Sequence, residues 1–486
     1  MSHYIDTLLN PVKRVGEHQV VKTPIALANQ VLDGFPTDIW KDKGKKWLNP
    51  ISKNGVFERC IYERLMTGLA AEIPNDDERR EWIISEMIWS FSPHESAELM
   101  VRLNYLSYAW NDKSDFYALR GNVQTMNFLK VKIKDGTVMV KDKDGIEKYV
   151  KIDCVVGNPP YQDNSKANDP KNIYPDFVLK AISADPEYLS MVIPARWMMG
   201  SGKGIAKFLA TMIGSKKLSR ITLEKDSLQW FNDVSIKGGI MHFLYDRKHN
   251  SHNVIINGVN IDLTGEDCIL DDIIGLSVKA KVLSKCDRTF DKVMLGSCPF
   301  EIRSTHKNWS TDTADSYTCH NSGRGKSAKT SLISKAMVKK NVEYVGKYKM
   351  CCACACGYGS DGINKPFVIG PGHVVSQSYL VMAYSDSEQE CVNAATFFDT
   401  HLAQYLISLL KNTQNVAKRV FKYLPYLDFT RSYTDRDLYT MFDLSKEEIA
   451  HIEKTTKDFP IFRGKKPSVK KVKAKFKEME LADIAQ

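Results

Sequence analysis

No stretch of this 486-residue sequence stays apolar for the ~18–20 residues that a helical membrane span needs. Its start, Met1-Ser2-His3-Tyr4-Ile5-Asp6, lacks the charged-then-apolar pattern of a secretory signal. No nucleotide-binding P-loop and no nuclease motif is recognisable, which argues against an ATP-driven motor and a self-contained nuclease. No repeat of solenoid period occurs. The eleven cysteines lack the regular spacing of a disulfide framework, and seven of them stand singly: Cys60, Cys154, Cys268, Cys286, Cys298, Cys319 and Cys391. They read as free thiols of a reducing compartment, so a cytoplasmic location with no membrane partner is expected. The cluster Cys351-Cys352-Ala353-Cys354-Ala355-Cys356 lacks a second Cys-x-x-Cys pair. A packed strand with Cys352, Cys354 and Cys356 on one face is favoured over a zinc site, and no metal is expected.

What the chain does have is a basic excess and an α/β rhythm. The formal charge is +10, which favours a polyanionic partner. Part of the excess sits between Arg463 and Lys477, either a solvated end or a phosphate-contacting arm. Lys46-Trp47-Leu48, Met87-Ile88-Trp89, Phe116 to Leu119, Asp153 to Gly157, Leu189 to Ile193 and Ile240 to Tyr245 read as strands. Between the earlier ones lie helices. Phe57, Ile61, Leu65 and Leu69 share one face of the first, Pro74-Asn75-Asp76-Asp77 opens the second, and Glu95 to Leu106 forms the third. Alternation of this kind predicts a doubly wound α/β sheet. Asp135-Gly136 and Asp144-Gly145 punctuate a β-insertion over residues 131–151. Composition shifts near residues 248–255, which sets expected domains at 1–250 and 251–460, followed by a basic tail at 461–486.

The chemistry is carried by Val155-Val156-Gly157-Asn158-Pro159-Pro160-Tyr161. A short apolar strand runs straight into a polar residue, two prolines and an aromatic. Strand C-termini are where open α/β sheets place ligands. Proline has no N–H, so this corner cannot continue a ladder and its carbonyls stay free to accept hydrogen bonds. An exocyclic amino group of a nucleobase needs such surroundings. Acceptors at Asn158 and the Pro159 carbonyl would hold its two N–H groups and favour a pyramidal nitrogen. Tyr161 would stack on the base once it has left the duplex. Asn-Pro-Pro also occurs in ordinary turns, and the strand before it favours the chemical reading.

The segment Cys154 to Asp163 resembles the catalytic motif of the amino-methyltransferases of type II restriction–modification systems, in the gamma order. Lys22-Thr23-Pro24, after Gly16-Glu17, is similar to the family's first motif, which caps the cofactor methionine. Asn49-Pro50 through Gly55-Val56-Phe57 is similar to its cofactor loop. Ile193 to Trp197 with Gly202-Lys203-Gly204, and Phe231 to Gly239, resemble later core segments. Tyr423 to Phe429 with Tyr433-Thr434-Asp435 resembles the closing one. The resemblance implies a Rossmann-like methyltransferase sheet with a C-terminal mixed α+β target-recognition domain. It implies S-adenosylmethionine as cofactor, held by Thr23, Asn49, Gly55, Ser90, Ser92 and Asn122. Asn158, Pro159, Pro160 and Tyr161 would be the catalytic corner. Double-stranded DNA is the implied substrate, and an endonuclease a possible partner.

The sequence departs from the family at the cofactor side. Lys53 stands where the loop's first glycine belongs, and its side chain needs space there. The acidic residue after the second strand is replaced by Ser90 or Ser92, and a second acid by Asn122. A neutral acceptor holds a hydroxyl about half as strongly as an ionised one. Two or three such losses would cost ~3–5 kcal/mol, on the order of a thousandfold in affinity. Three readings stay open: S-adenosylmethionine bound through other contacts, a catalytically inactive DNA-binding descendant, or a more anionic cofactor. For DNA phosphates the candidates are Lys326, in Gly323-Arg324-Gly325-Lys326, and Lys411, Lys418 and Arg419 in a second basic stretch. An exposed linker and a solvated helix face compete with these readings.

Overall fold

The computed structural model describes residues 23–462 apart from 107–121, 143–144, 164–170, 201, 203, 232–235, 237, 297, 304, 308, 323–328, 356–360 and 412–413. The expected strand at Phe116 to Leu119, the loop residue Lys326, Cys356, the Gly16–Lys22 segment and the basic stretch beyond Arg463 lie outside the described residues. The chain divides into two units, Met1–Asp271 and Asp272–Gln486.

The first unit is built on a nine-stranded sheet. In chain order its strands are β1 (Trp47–Asn49), β2 (Ile88–Ser92), β3 (Val123–Thr125), β4 (Cys154–Gly157), β5 (Tyr188–Pro194), β6 (Leu218–Glu224), β7 (Ile240–Asp246), β8 (Asn253–Ile256) and β9 (Val259–Asp262). Across the sheet they run β3-β2-β1-β4-β5-β7-β6-β8-β9. The strands from β3 to β5 are parallel, and β7 is antiparallel to both its neighbours. The chain moves outward from β1 to β3 and then returns to place β4 on the other side of β1. That reversal sets the carboxyl ends of β1 and β4 side by side at a topological switch point, the place where doubly wound sheets bind ligands.

Local sequence explains the layers. Every residue of β2, Ile-Trp-Ser-Phe-Ser, is buried, as a parallel strand covered on both faces requires. Helix α1 (Ile25–Asp33) and helix α2 (Val56–Gly68) share one apolar core with β1. The buried face of α2 carries Phe57, Ile61 and Leu65, and Leu69 closes it, the spacing expected from the sequence. Asn75 caps helix α3 (Asp76–Trp82), accepting from Asp77 N at 2.9 Å and Glu78 N at 3.1 Å. The helix from Glu95 ends as α4 (Glu95–Val101) and widens into a π-helical turn to Leu106. The β-insertion is a three-stranded antiparallel sheet, with Thr137–Lys141 paired to Ile133–Lys134 and Glu147–Lys151.

The end of the first unit differs from the sequence expectation of 250. The hairpin Asn253–Asp262 adds β8 and β9 to the sheet edge, so the unit runs to Asp271. Hairpin formation is decided by which edge is vacant, and the polar run before it resembles a linker only in composition. The second unit is mixed α and β. It holds two three-stranded sheets, centred on Ser316–Ser322 and Tyr348–Ala353, and helices that include Ile273–Ser284, Glu388–Phe397, His401–Leu410 and Lys446–Thr456. The strand expected at the cysteine cluster is present but ends at Ala353, so the one-face alternation stops there. Cys351 and Cys352 are both buried within it, and Cys354 lies past its end.

Candidate active site

Gly157 ends β4 where the corners of β1 and β4 touch. A β-carbon at this position would lie 3.0 Å from Asn49 Oδ1 and 3.4 Å from Pro50 Cδ, so only hydrogen fits without displacement. The chain then turns through Asn158-Pro159-Pro160-Tyr161. Asn158 is 6% exposed, and its Nδ2 donates to Thr23 Oγ1 at 3.1 Å. Its carbonyl oxygen takes no hydrogen bond from the described residues. The Pro159 carbonyl likewise has no partner among them. Two acceptors are therefore unpaired, among the described residues, at the carboxyl end of β4. Tyr161 is half-buried, its hydroxyl is enclosed without a partner among the described residues, and burial pushes its pKa up. Ile173 N donates to the Tyr161 carbonyl at 3.2 Å, which ties the loop back after the corner.

The neighbouring loop joins β1 to α2. Asn49 Oδ1 accepts from Ile51 N at 3.2 Å, an Asx turn that starts the loop. Gly55 ends it at φ +73°, and a β-carbon there would meet the Val101 carbonyl oxygen at 3.0 Å. Ser52 N donates to the Phe91 carbonyl at 2.7 Å, which fastens the loop across the end of β2. Lys53 is half-buried, and desolvation lowers its pKa to about 8.

One site residue escapes a reading by motif. Glu58, in the first turn of α2, is fully buried and accepts from Ser90 Oγ at 2.6 Å. Asn49 and Ser52 face the same carboxyl. Burial pushes this carboxyl above the usual carboxylate range, and the hydrogen bond from Ser90 offsets part of that rise. Its spacing to Ile61 and Leu65 was the available signal, since a residue three and seven positions before two core residues points inward. Ser90, expected to face a cofactor, instead bonds Glu58. Asn122 directs its Nδ2 to the carbonyls of Ser85 at 2.7 Å and Ile84 at 3.3 Å, at the end of the helical turn before β2. Among the described residues, Ser92 Oγ is buried without a partner, and Ser52 Oγ and Glu58 Oε2 are buried close to each other with no hydrogen bond of good geometry. An unpaired buried polar atom costs ~1–3 kcal/mol. These atoms at the ends of β1 and β2 suit a ligand carrying hydroxyl and ammonium groups, so the residues present fit S-adenosylmethionine.

The phosphate candidates fare unevenly. Lys411 is only 1% exposed, a correction to its expected place on the surface, because it follows directly on the buried end of helix His401–Leu410. Lys418 is exposed, with its ammonium 3.4 Å from the Met294 carbonyl oxygen. Arg419 is half-buried, with its Nε enclosed. Among the described residues no cluster of three His, Cys, Asp or Glu could hold a metal ion.

The family model of the Eco57I restriction-modification methylase matches residues 68–231. An uncharacterized adenine-specific methylase of Mycoplasma pneumoniae is 31% identical over 303 residues, covering 51% of this chain and 72% of that protein. Among solved structures, the type IIL restriction-modification enzyme MmeI in complex with DNA is 10% identical, covers 92% of this chain and 73% of its own, and has a TM-score of 0.47. A nuclease-deletion mutant of the type ISP enzyme LlaGI is 10% identical, with coverage of 88% and 54% and a TM-score of 0.48. The M protein of the type I restriction enzyme EcoKI is 12% identical, with coverage of 50% and 49% and a TM-score of 0.34, so this chain spans about half its length. Given the mycoplasma relative's identity over most of its length, this chain belongs to the adenine-specific DNA methylases of restriction–modification type.

Proposed function

We propose that the chain methylates adenine at N6 in double-stranded DNA, on a base turned out of the helix, with S-adenosylmethionine as the methyl donor. The observation that carries this reading is the pair of acceptors without a partner among the described residues, Asn158 Oδ1 and the Pro159 carbonyl, at the carboxyl end of β4. An amine held by two acceptors in different directions is drawn toward a pyramidal nitrogen, which frees its lone pair to attack. Neither carbonyl is a base strong enough to take a proton beforehand, so the surplus proton leaves to water after the new N–C bond has formed. Tyr161 offers a ring face for the extruded base, worth ~1–3 kcal/mol of stacking. S-adenosylmethionine, when bound, supplies the electrophilic methyl group. Gly55, Ser92 and Glu58 are the residues that would hold it. Positioning in a water-poor corner supplies most of the rate.

The second unit, Asp272 onward, would select the DNA sequence, with Lys418 and Arg419 toward phosphate. An endonuclease acting on the same site is a possible partner. The test is to express the protein in cells lacking adenine methylation and to sequence their DNA with detection of modified adenines. Methyl-adenine in one recurring sequence supports the proposal, and unmodified DNA refutes it.

A second reading is a DNA binder without transfer. It is favoured by Ser90 and Asn122, both engaged within the protein, and by the lysine at position 53. Calorimetry with S-adenosylmethionine separates the two, because this second reading requires DNA affinity with no measurable cofactor binding.

A further inference from the structure

We infer that Thr23 is a positioning residue that supports the Asn158 amide with its oxygen end toward the target amine. The inference rests on the methylation reading above and adds a role for a residue that the family resemblance assigns to the cofactor. An asparagine amide is a donor at one end and an acceptor at the other, and the two ends have nearly the same shape. If the amide rotates by half a turn, the corner offers N–H to an amine, the wrong polarity for a group that is itself a donor. Something must therefore choose the rotamer.

In this structure Asn158 is 6% exposed, Thr23 is 7% exposed, and Asn158 Nδ2 donates to Thr23 Oγ1 at 3.1 Å. Thr23 lies 135 positions earlier in the chain, just before α1, so the contact is tertiary. A hydroxyl can donate or accept, and the contact becomes directional when the outer end of the amide meets the substrate. An amine donor outside requires Oδ1 outside, and Thr23 Oγ1 then accepts from Nδ2. Without the hydroxyl, Oδ1 can face the amine only with Nδ2 buried and unpaired at the inner end, so the productive orientation loses its support. An aspartate at 158 would need no such choice, since both of its oxygens accept.

That difference gives the test. Five proteins are compared: the natural chain, Thr23→Val, Asn158→Asp, the double variant, and Thr23→Ser as the conservative control. In the natural background Thr23→Val should lower kcat about tenfold, the worth of one hydrogen bond. The dissociation constant for S-adenosylhomocysteine should move less than about threefold, and Thr23→Ser should restore the rate. In the Asn158→Asp background the Thr23→Val loss should shrink to less than about threefold. An equal loss in both backgrounds, or a loss carried by S-adenosylhomocysteine affinity, overturns the inference and leaves Thr23 a cofactor contact. The same question has an answer that does not depend on turnover. With ¹⁵N-labelled asparagine, the Asn158 side-chain amide, identified by its disappearance in Asn158→Asp, should exchange its hydrogens faster in Thr23→Val. Unchanged exchange overturns the inference even if the enzyme methylates DNA. Absence of methylation in the natural chain strikes the proposed function, and the exchange measurement still reads the Thr23 contact.

Discussion

Glu58 and Ser90 form a polar pair inside an apolar layer, and each explains the other. The serine hydroxyl stabilises a carboxyl that has lost its water, and the carboxyl takes up the hydroxyl that the strand end would otherwise present. Because burial raises the Glu58 pKa, the folded chain holds this proton to higher pH than the unfolded chain does. Its contribution to stability is present at low pH and is lost as pH rises through the raised value. Glu58→Gln keeps an acceptor for Ser90 and cannot ionise, so thermal unfolding followed from pH 5 to pH 8 should lose less stability than in the natural protein. His242 on β7 works in the opposite direction. Desolvation lowers it to about 4, so stability falls as pH drops from about 6.5 toward 4, by on the order of 3 kcal/mol. His242→Leu should flatten that acid limb in a denaturant titration. At the proposed catalytic corner, Asn158→Ala removes one of two acceptors and should lower kcat by ~10²–10³, the usual cost of losing one preorganised polar contact to the reacting group. DNA affinity, measured by fluorescence anisotropy, should stay within a few-fold.

Among the elements, the loop between β1 and α2 shows how pattern and geometry diverge. Family glycines were expected to line it, yet Gly55 is the position that needs glycine. Its φ of +73° and the Val101 carbonyl oxygen 3.0 Å from a built β-carbon both exclude a side chain. Gly55→Ala should cost at least ~1–2 kcal/mol from the left-handed conformation alone, read as a lower unfolding midpoint in urea. The helices were legible because periodicity is local: Phe57, Ile61, Leu65 and Leu69 announce α2, and Asn75 announces the start of α3. The cysteine strand was legible as a strand and not in extent. Its end is set by pairing with Tyr379–Ser385, which terminates at Ala353 opposite Tyr379.

Over the whole molecule the domain boundary is the consequential difference. A polar, asparagine-rich run around residues 248–255 has linker composition, yet residues 253–262 complete the sheet. The edge of β6 is vacant until β8 covers it through Arg220 and Ile221. A truncation ending at residue 250 should therefore expose that edge and aggregate, while one ending at Asp271 should stay soluble and cooperative, as judged by size-exclusion chromatography and circular dichroism. Loss of solubility in both, or in neither, would show that the hairpin does not protect the edge. No described helix is long and apolar enough to cross a membrane.

By itself the sequence determined the α/β class, the helix faces, and the polar corner Asn158-Pro159-Pro160-Tyr161 at the end of a buried strand, on which the proposed amine chemistry rests. These depend on residues adjacent in the chain or repeated at helical spacing. Only the tertiary structure decided that Thr23 meets Asn158, that Ser90 turns to Glu58, that Asn122 turns to the carbonyls of Ser85 and Ile84, and that Lys411 is buried. A polar side chain bonds whatever the fold brings within about 3 Å of it, and that neighbour is usually distant in sequence.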